Sequence, residues 1–216
     1  MPDYSLPPCV TLVFGRQGCG KSSFAFLYLL NRATEQPAND NPATCIFIFD
    51  WKNEAAQRLG LTPCGSLAQC DAALGTRWVV FNPFVMFGAD LKGAFNWFCQ
   101  WAFDVSRRGA GKKIFFVDEL WRFVDRYNLP AELQRVARMG RVENLELFTA
   151  TQHPRDYHAD LRAEVTEWVC FNMMAPAELD AVRPYFAGVD AAATLPRGEF
   201  ISFNVESGAE RRGKLF

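Results

Sequence analysis

The sequence predicts an α/β domain whose mostly parallel central sheet is flanked by helices and extended by a C-terminal β-hairpin. Short apolar runs such as Cys45–Phe49 and Ile114–Val117 are each followed by an acidic residue, as is typical of strands buried on both faces of a parallel sheet. Stretches with apolar residues at helical spacing lie between such runs, which favours helices packed on the sheet. At the end of the chain, two β-prone segments flank the turn residues Glu206–Gly208, which indicates the hairpin.

Length and composition suit a single domain. The 216 residues are 50% apolar and carry a net charge of −1, so a large core is available and any DNA contact needs a local basic patch. The seven cysteines include no C-x-x-C pair and there are only two histidines, which argues against a disulfide framework and a zinc site. Neither a signal peptide nor an apolar run of about 20 residues is found. We therefore expect a soluble intracellular protein with one domain over 1–216, in which 1–8 form an N-terminal arm and 195–216 the hairpin.

A glycine-rich turn follows the apolar run Val10–Phe14 and precedes the helix-forming stretch Phe24–Leu30. It fits G-x-x-x-x-G-K-[ST] at every fixed position, namely Gly15, Gly20, Lys21 and Ser22. Glycines at this spacing let successive backbone N–H groups surround a phosphate, and the start of the helix turns its positive end to the same anion. An ordinary glycine-rich turn is the alternative, but it does not explain why strand, motif and helix occur in register. The turn predicts a nucleoside triphosphate site.

Individual roles within this loop follow from the chemistry of the motif. We expect Lys21 to reach the β- and γ-phosphates of ATP and the Ser22 hydroxyl to coordinate Mg²⁺. The residues expected to contact the nucleotide are Gly15, Gln17, Gly18, Cys19, Gly20, Lys21, Ser22 and Ser23.

The run Ile114–Val117 ends in adjacent acids, Asp118 and Glu119, which is the Walker B pattern. Asp118, at the tip of the strand, would hold Mg²⁺ opposite Ser22, and Glu119 would activate the attacking water as a general base. Two adjacent carboxylates at a buried strand end are costly unless a cation or hydrogen bonds offset their charge. The second acid favours hydrolysis by water over phosphoryl transfer to a small metabolite.

The remaining elements are predicted from apolar periodicity and turn residues. Ala33–Thr44 is predicted as a surface loop. The further strands are Arg77–Phe81, Leu145–Gln152 and Trp168–Asn172, with hairpin strands in Leu195–Asn204 and Gly213–Phe216. The further helices are Leu91–Arg108, Trp121–Tyr127, Pro130–Met139 and Ala177–Phe186.

Three features allow more than one interpretation. The aromatic stripe of Leu91–Arg108 favours core packing over a base-stacking platform, because one helical face collects nearly all of it. The basic loop Arg107–Lys113 would suit a phosphate backbone, or it is a solvated turn. Asp50, Lys52 and Glu54 follow a strand at the end where α/β sheets bind ligands, and their roles stay open.

Gln152 ends the strand that begins at Leu145. If that strand neighbours the Walker B strand, the Gln152 amide lies beside Asp118 and Glu119, where it would sense the γ-phosphate or the attacking water. A cap at the end of the strand is the alternative role.

Four segments in order resemble the FtsK–HerA superfamily of P-loop DNA-pumping ATPases: GRQGCGKS, IFIFDWKNE, IFFVDEL and RVARMGRVENLELFTATQHP. The resemblance covers about residues 10–175, and its most specific part is Arg-x-x-Gly-Arg followed by a strand that ends in Thr-Gln-x-Pro. It implies a RecA-like (ASCE) P-loop NTPase core. In that family an arginine eleven residues before the glutamine enters the neighbouring subunit's site; here this is Arg141, with Arg138 as the nearby alternative. Charge complementarity to a helix C-terminus is the other interpretation of Arg141.

The short chain resembles in particular the genome-packaging ATPases of tailless, membrane-containing phages. This implies ATP hydrolysis coupled to DNA translocation by a ring, expected to be a hexamer. It also implies a place in the host cytoplasm, in association with the virion through a capsid vertex or a membrane protein. The alternatives are a Zot-like phage assembly or secretion ATPase and a P-loop kinase of a small substrate, although no arginine-bearing lid is found. Strand type, direction of movement and subunit number stay open.

Overall fold

The strands of the computed structural model, which describes residues 10–34 and 44–216, form one eight-stranded sheet. The strands are β1 (Val10–Phe14), β2 (Cys45–Phe49), β3 (Trp78–Phe81), β4 (Lys113–Asp118), β5 (Leu145–Thr151), β6 (Glu167–Phe171), β7 (Glu199–Asn204) and β8 (Glu210–Lys214). The expected N-terminal arm at 1–8 and residues 35–43 of the expected loop Ala33–Thr44 lie outside the described residues.

The strand order is β3-β2-β4-β5-β1-β6-β7-β8. The first six strands in this order are parallel, and the hairpin of β7 and β8 adds two antiparallel strands at one edge. The predicted fold class, a mostly parallel sheet flanked by helices with a C-terminal hairpin, is therefore confirmed.

The helices of the described residues are α1 (Lys21–Thr34), α2 (Ala55–Leu59), α3 (Leu67–Ala73), α4 (Pro83–Phe87), α5 (Leu91–Arg108), α6 (Ala131–Met139), α7 (Ala159–Ala163) and α8 (Pro176–Val182). Four short helices, α2, α3, α4 and α7, carry too few turns for their periodicity to be read from the sequence. Within the described ranges, every helix is too short or too polar to cross a membrane.

Two apolar layers bury the sheet. On one face α1 packs on strand residues that include Ile46, Ile48 and Phe148. On the other face α5 inserts Phe98, which is fully buried, and its ring lies 5.0 Å from Phe81 and 5.4 Å from Phe115 between centroids. The aromatic stripe of α5 is therefore core, as predicted.

The predicted helix Trp121–Tyr127 is wrong. A single 3₁₀ turn at Leu120–Arg122 follows β4, and the chain then turns without further helix before α6. The Asp125 side chain accepts hydrogen bonds from the backbone N–H groups of Tyr127 and Asn128, each at 2.8 Å. These local bonds compete with helical ones, which is a known tendency of aspartate.

Other boundaries also differ from the predictions. Helix α1 begins at Lys21 and includes Ala33 and Thr34, which were expected in the loop. The predicted helix Ala177–Phe186 ends at Val182; Arg183 still has helical dihedral angles, and Pro184, which has no N–H to donate, does not continue the helix.

The aromatic packing of α5 yields a stability prediction. Phe98→Ala should lower the free energy of unfolding by about 3–5 kcal/mol, because it leaves a cavity among rings that cannot close it. Chemical denaturation of the two proteins measures this difference. Arg107→Ala on the exposed end of the same helix is the control and should change stability by less than about 0.5 kcal/mol. Equal effects of the two substitutions would contradict the core role of the stripe.

Candidate nucleotide site

The predicted site residues converge at the carboxyl edge of the parallel strands. Strand β5 lies between β4 and β1, and the register pairs Asp118 with Ala150 and Phe14 with Thr151. The loop after β1, the acids at the end of β4 and Gln152 after β5 therefore meet at one edge, where open α/β sheets bind ligands.

The loop between β1 and α1 is held by backbone hydrogen bonds to two other segments of the chain. The Arg16 N–H donates to the Asn172 carbonyl at 2.8 Å, and the Gly198 N–H donates to the Cys19 carbonyl at 3.0 Å. Gly15 adopts a φ of +152°, and a Cβ there would lie 2.8 Å from the Phe171 Cβ. Backbone strain and close approach together require glycine at this position.

The outer part of this loop is open to solvent. Arg16, Gln17 and Gly18 are exposed, whereas Cys19 is buried behind the loop. Burial raises the pKa of the Cys19 thiol, so a neutral side chain faces the core and only the backbone of Cys19 can serve a phosphate. Ser22 is half-buried and Ser23 is exposed at the start of α1.

Lys21 is buried and folded over its own loop. Its Nζ donates to the carbonyls of Gly15 at 2.8 Å and Arg16 at 2.9 Å. Burial lowers the pKa of Lys21, while the negative charges of Glu119 and Asp118 act in the opposite direction. Because an anion at the loop would favour the charged amine, the lysine is suited to bind a phosphate.

The Asp118 carboxylate is paired with Lys52, a residue of the loop that follows β2. Lys52 Nζ lies 2.5 Å from its Oδ2, and the Trp51 indole N–H donates to the Asp118 carbonyl at 2.8 Å. Burial raises the pKa of Asp118 above its ordinary range, and Lys52 partly offsets this effect. The Asp118 carboxylate is therefore stabilised by a cation beside it.

The donor set of this corner fits Mg²⁺. The Ser22 hydroxyl and the Asp118 carboxylate are the hard oxygen ligands that Mg²⁺ prefers, and it commonly uses one or two carboxylates together with phosphate oxygens. Lys52 is the cation paired with Asp118 in this structure. A divalent cation bound at this carboxylate would take the place of the Lys52 ammonium.

Glu119 is buried and held in place by three hydrogen bonds. Its backbone has a left-handed φ of +54°, which turns the side chain back toward β5. Gln152 donates from Nε2 at 2.9 Å and from its backbone N–H at 3.4 Å, and the Trp121 indole N–H donates at 2.7 Å. The predicted adjacency of Gln152 and Glu119 is confirmed; a role in sensing the γ-phosphate stays a prediction.

The three residues after β2 whose roles were open have separate functions. Asp50 accepts the backbone N–H groups of Glu54, Ala55 and Ala56 at 2.9–3.1 Å and so holds the start of α2. Glu54 pairs with Arg58 one turn along the chain, at 2.5 Å. Lys52 alone enters the site.

Sequence reasoning missed Trp51 and Trp121, which contact the two acids. Both lie within three residues after a strand end, and that position is the signal that would have found them. Trp121 was instead assigned to the predicted helix Trp121–Tyr127, which the structure does not contain.

Arg141 and Arg138 lie far from the site of their own chain. Arg141 precedes the amino end of β5, whose seven residues span about 20 Å to the site at the other end. It forms an ion pair with Glu206, and Arg138 pairs with Asp160 and Glu164 at 3.2 Å each. Neither arginine can reach the nucleotide site of this chain.

The basic loop Arg107–Lys113 lies at the same amino edge, and each of its cations has an internal partner. The contacts are Arg107 with Glu143, Arg108 with the Asp104 carbonyl, Lys112 with Glu146 and Lys113 with the Gly109 carbonyl. These contacts favour the interpretation as a solvated turn over a phosphate-binding loop.

Comparison with known proteins shows similarity in fold. No protein-family model and no curated protein sequence matches the chain. The genome packaging NTPase B204 from Sulfolobus turreted icosahedral virus 2, in complex with AMPPCP, is 16% identical and matches 96% of this chain and 97% of its own at a TM-score of 0.72. VirB4 of Thermoanaerobacter pseudethanolicus is 13% identical and matches 95% of this chain and 89% of its own at 0.68. The pCW3 conjugation coupling protein TcpA with ATPγS is 16% identical at 0.62, over 100% of this chain and 62% of its own.

These likenesses agree with the prediction made from the motifs. The fold shared with B204 extends over nearly the whole of both chains. The predicted P-loop NTPase fold, of the kind found in a viral packaging NTPase and in conjugation proteins, is confirmed.

The contacts of Asp50 predict a structural role. Asp50→Ala should lower the free energy of unfolding by about 1–2 kcal/mol, because three backbone N–H groups lose their acceptor. Asp50→Asn keeps one carbonyl oxygen and should cost less. Thermal or chemical unfolding of the three proteins measures the order, and unchanged stability in Asp50→Ala would contradict it.

Proposed function

We propose that this chain is an ATPase that couples ATP hydrolysis to DNA translocation, acting as a ring in the packaging of a viral genome. The observation that carries the proposal is the convergence of Lys21, Asp118, Glu119 and Gln152 at one edge of a sheet with this fold. The fold likeness to a viral genome packaging NTPase supports the biological setting. We further propose that the ring works in the host cytoplasm and docks to the virion through a capsid vertex or a membrane protein.

The hydrolytic step follows from the residues of the site. Lys21 and the backbone N–H groups of the loop would bind the β- and γ-phosphates, and Ser22 and Asp118 would hold Mg²⁺, which neutralises charge on these phosphates. Glu119 would accept a proton from the attacking water, and Gln152, bonded to the same carboxylate, would orient it. Asp118 would thus bind the metal ion, whereas Glu119 would act as the general base.

This division of tasks predicts the behaviour of Glu119→Gln. The amide cannot accept the proton of the water, so turnover should fall by at least about 10²-fold, whereas ATP affinity should change little. Phosphate release and equilibrium binding of a fluorescent ATP analogue measure the two quantities. Glu132→Gln on α6 is the matched control and should hydrolyse ATP as the unchanged protein does. Robust hydrolysis by Glu119→Gln would contradict its role as base.

An oligomer is proposed because Arg141 cannot serve its own site. A cation from the next subunit would neutralise charge that develops on the γ-phosphate, an effect worth roughly 10³–10⁵ in rate in other systems. Arg141 is half-exposed at the amino edge, so a neighbouring subunit can reach it once its pair with Glu206 opens. Arg138 is the alternative, although it pairs with two carboxylates.

Mixed rings test this arrangement. Arg141→Ala should retain ATP binding and lose turnover in assembled rings, and so should Glu119→Gln. Mixing the two variants should restore part of the activity, because some interfaces then combine an intact Glu119 with an intact Arg141. The same mixture made with Arg138→Ala identifies which arginine acts in trans. Absence of recovery with either arginine variant would contradict a shared site.

The translocase itself is tested by phosphate release with and without DNA. We would measure the purified protein alone, with double-stranded DNA and with single-stranded DNA, together with its mass in solution. Stimulation by DNA in a ring-sized species is expected, and the more effective DNA identifies the substrate. Equal rates with and without DNA in a well-defined oligomer would contradict the proposal and favour an assembly or secretion ATPase.

A further inference from the structure

An arginine is stacked between two tryptophans beside the paired acids. The guanidinium of Arg122 lies 4.6 Å from the ring centroid of Trp51 and 5.2 Å from that of Trp121. Cation–π contacts at such distances are favourable by about 0.5–2 kcal/mol each, depending on exposure. Arg122 is exposed, so its other side faces solvent while the indoles hold it. We call these three residues the Trp–Arg–Trp stack.

Each indole of this stack contacts one of the two acids of the site. Trp121 donates its N–H to the Glu119 carboxylate at 2.7 Å, and Trp51 donates to the Asp118 carbonyl at 2.8 Å. Arg122 is thus the common neighbour of two groups that touch the acids. A movement of Arg122 would therefore remove a ring contact from Trp121, the residue that donates to Glu119.

The hydrogen bonds to Glu119 suit an inactive state of the site, in which the carboxylate does not act as a base. A carboxylate that accepts from Trp121 and twice from Gln152 has most of its acceptor capacity engaged. A general base needs a free lone pair toward the attacking water. Loss of the Trp121 contact leaves Oε2 of Glu119 with only the longer 3.4 Å bond from the Gln152 backbone N–H, and so frees a lone pair, while the Gln152 amide still orients Oε1.

Two members of the stack, Trp121 and Arg122, line a surface groove of about 480 Å³. The groove is lined by the segment that follows the 3₁₀ turn, by Lys92 from α5 and by Asp156. Tyr127 lines it and is 86% exposed. Cations next to an exposed aromatic ring are the combination that binds the phosphates and bases of nucleic acids.

The charges of the groove leave cations available for phosphate. Asp125 is engaged by backbone N–H groups of its turn, and Asp156 is paired with Arg126 at 3.1 Å. Among the residues that the structure describes, neither Arg122 nor Lys92 has a carboxylate within ion-pair distance. The two acids of the groove are thus engaged by other groups, and the cations Lys92, Arg122 and Arg126 outnumber them, so a polyanion is the ligand that its charge favours.

We propose that the groove binds the nucleic-acid backbone and that Arg122, drawn to a phosphate, releases Trp121 from Glu119. Nucleic acid then activates hydrolysis through the Trp–Arg–Trp stack, and Trp121 is the positioning residue for Glu119. The proposal rests on the proposed function, since it names the DNA-contacting surface and its link to the hydrolytic site. It also accounts for an arginine that, within residues 10–34 and 44–216, contacts two rings and no carboxylate, since a carboxylate would hold it too tightly to exchange.

The test compares three variants in the same ATP hydrolysis and DNA-binding measurements. Trp121→Phe keeps the ring and removes the N–H, so hydrolysis without DNA should rise roughly three- to tenfold, the range that loss of one hydrogen bond supports. Its stimulation by DNA should shrink by the same factor. Arg122→Ala should lose stimulation, and its DNA affinity should depend less steeply on salt, by about one phosphate contact. Arg108→Ala, an exposed arginine at the opposite edge of the sheet, is the control and should leave hydrolysis and stimulation unchanged.

A second measurement needs no hydrolysis. DNA added without nucleotide should change the tryptophan fluorescence of the unchanged protein and of Arg108→Ala, because Trp121 leaves its contacts. The change should be largely lost in Trp121→Phe and absent in Arg122→Ala. A merely structural role of the stack would leave these spectral changes in place.

The outcomes separate this proposal from the proposed function. If DNA neither binds nor stimulates the unchanged protein, the translocase is overturned and the coupling with it. If DNA stimulates the unchanged protein, Trp121→Phe and Arg122→Ala to the same extent, only the coupling through the stack is overturned. If Trp121→Phe lowers hydrolysis with and without DNA, Trp121 supports the active pose of Glu119 and the proposed release is wrong.

Discussion

The parallel pairing of β4 with β5 and of β5 with β1 is the constraint on which the site depends. It brings Asp118, Gln152 and the loop that follows Phe14 to one edge, although they are far apart in sequence. A slip of one residue in any of these strands would exchange the faces on which its side chains lie. The apolar layers on both faces prevent such a slip, so the packing of aromatic residues indirectly fixes the geometry of the acids.

Each charged group of the site has a partner from the protein itself. Lys21 is bonded to carbonyls of its loop, Asp118 to Lys52, and Glu119 to Gln152 and Trp121. Such contacts offset the cost of burying charge, and they also hold the side chains close to where substrate would need them. In the proposed function, binding would be an exchange of partners, in which a phosphate replaces the carbonyls at Lys21 and a divalent cation replaces the Lys52 ammonium at Asp118.

The two edges of the sheet differ in chemistry. The carboxyl edge carries the loop, the acids and the Trp–Arg–Trp stack, whereas the amino edge carries Arg141 and the basic loop Arg107–Lys113, whose cations are paired internally. In the proposed ring, the amino-edge arginine of one subunit would complete the carboxyl-edge site of the next. The acids of the site and the groove, by contrast, belong to the same chain and share the segment after β4.

The sequence alone predicted the fold class, the glycine-rich loop and the acids after β4, because these depend on apolar periodicity and on residue types at fixed local spacing. It also indicated that Gln152 lies beside Glu119, provided that two strands are neighbours. Only the tertiary structure decided that condition, assigned Asp50 to the start of α2 and Lys52 to Asp118, and removed the predicted helix Trp121–Tyr127. The reason is physical: strand order, side-chain partners and the left-handed turn at Glu119 depend on contacts between residues distant in sequence, which local patterns do not encode.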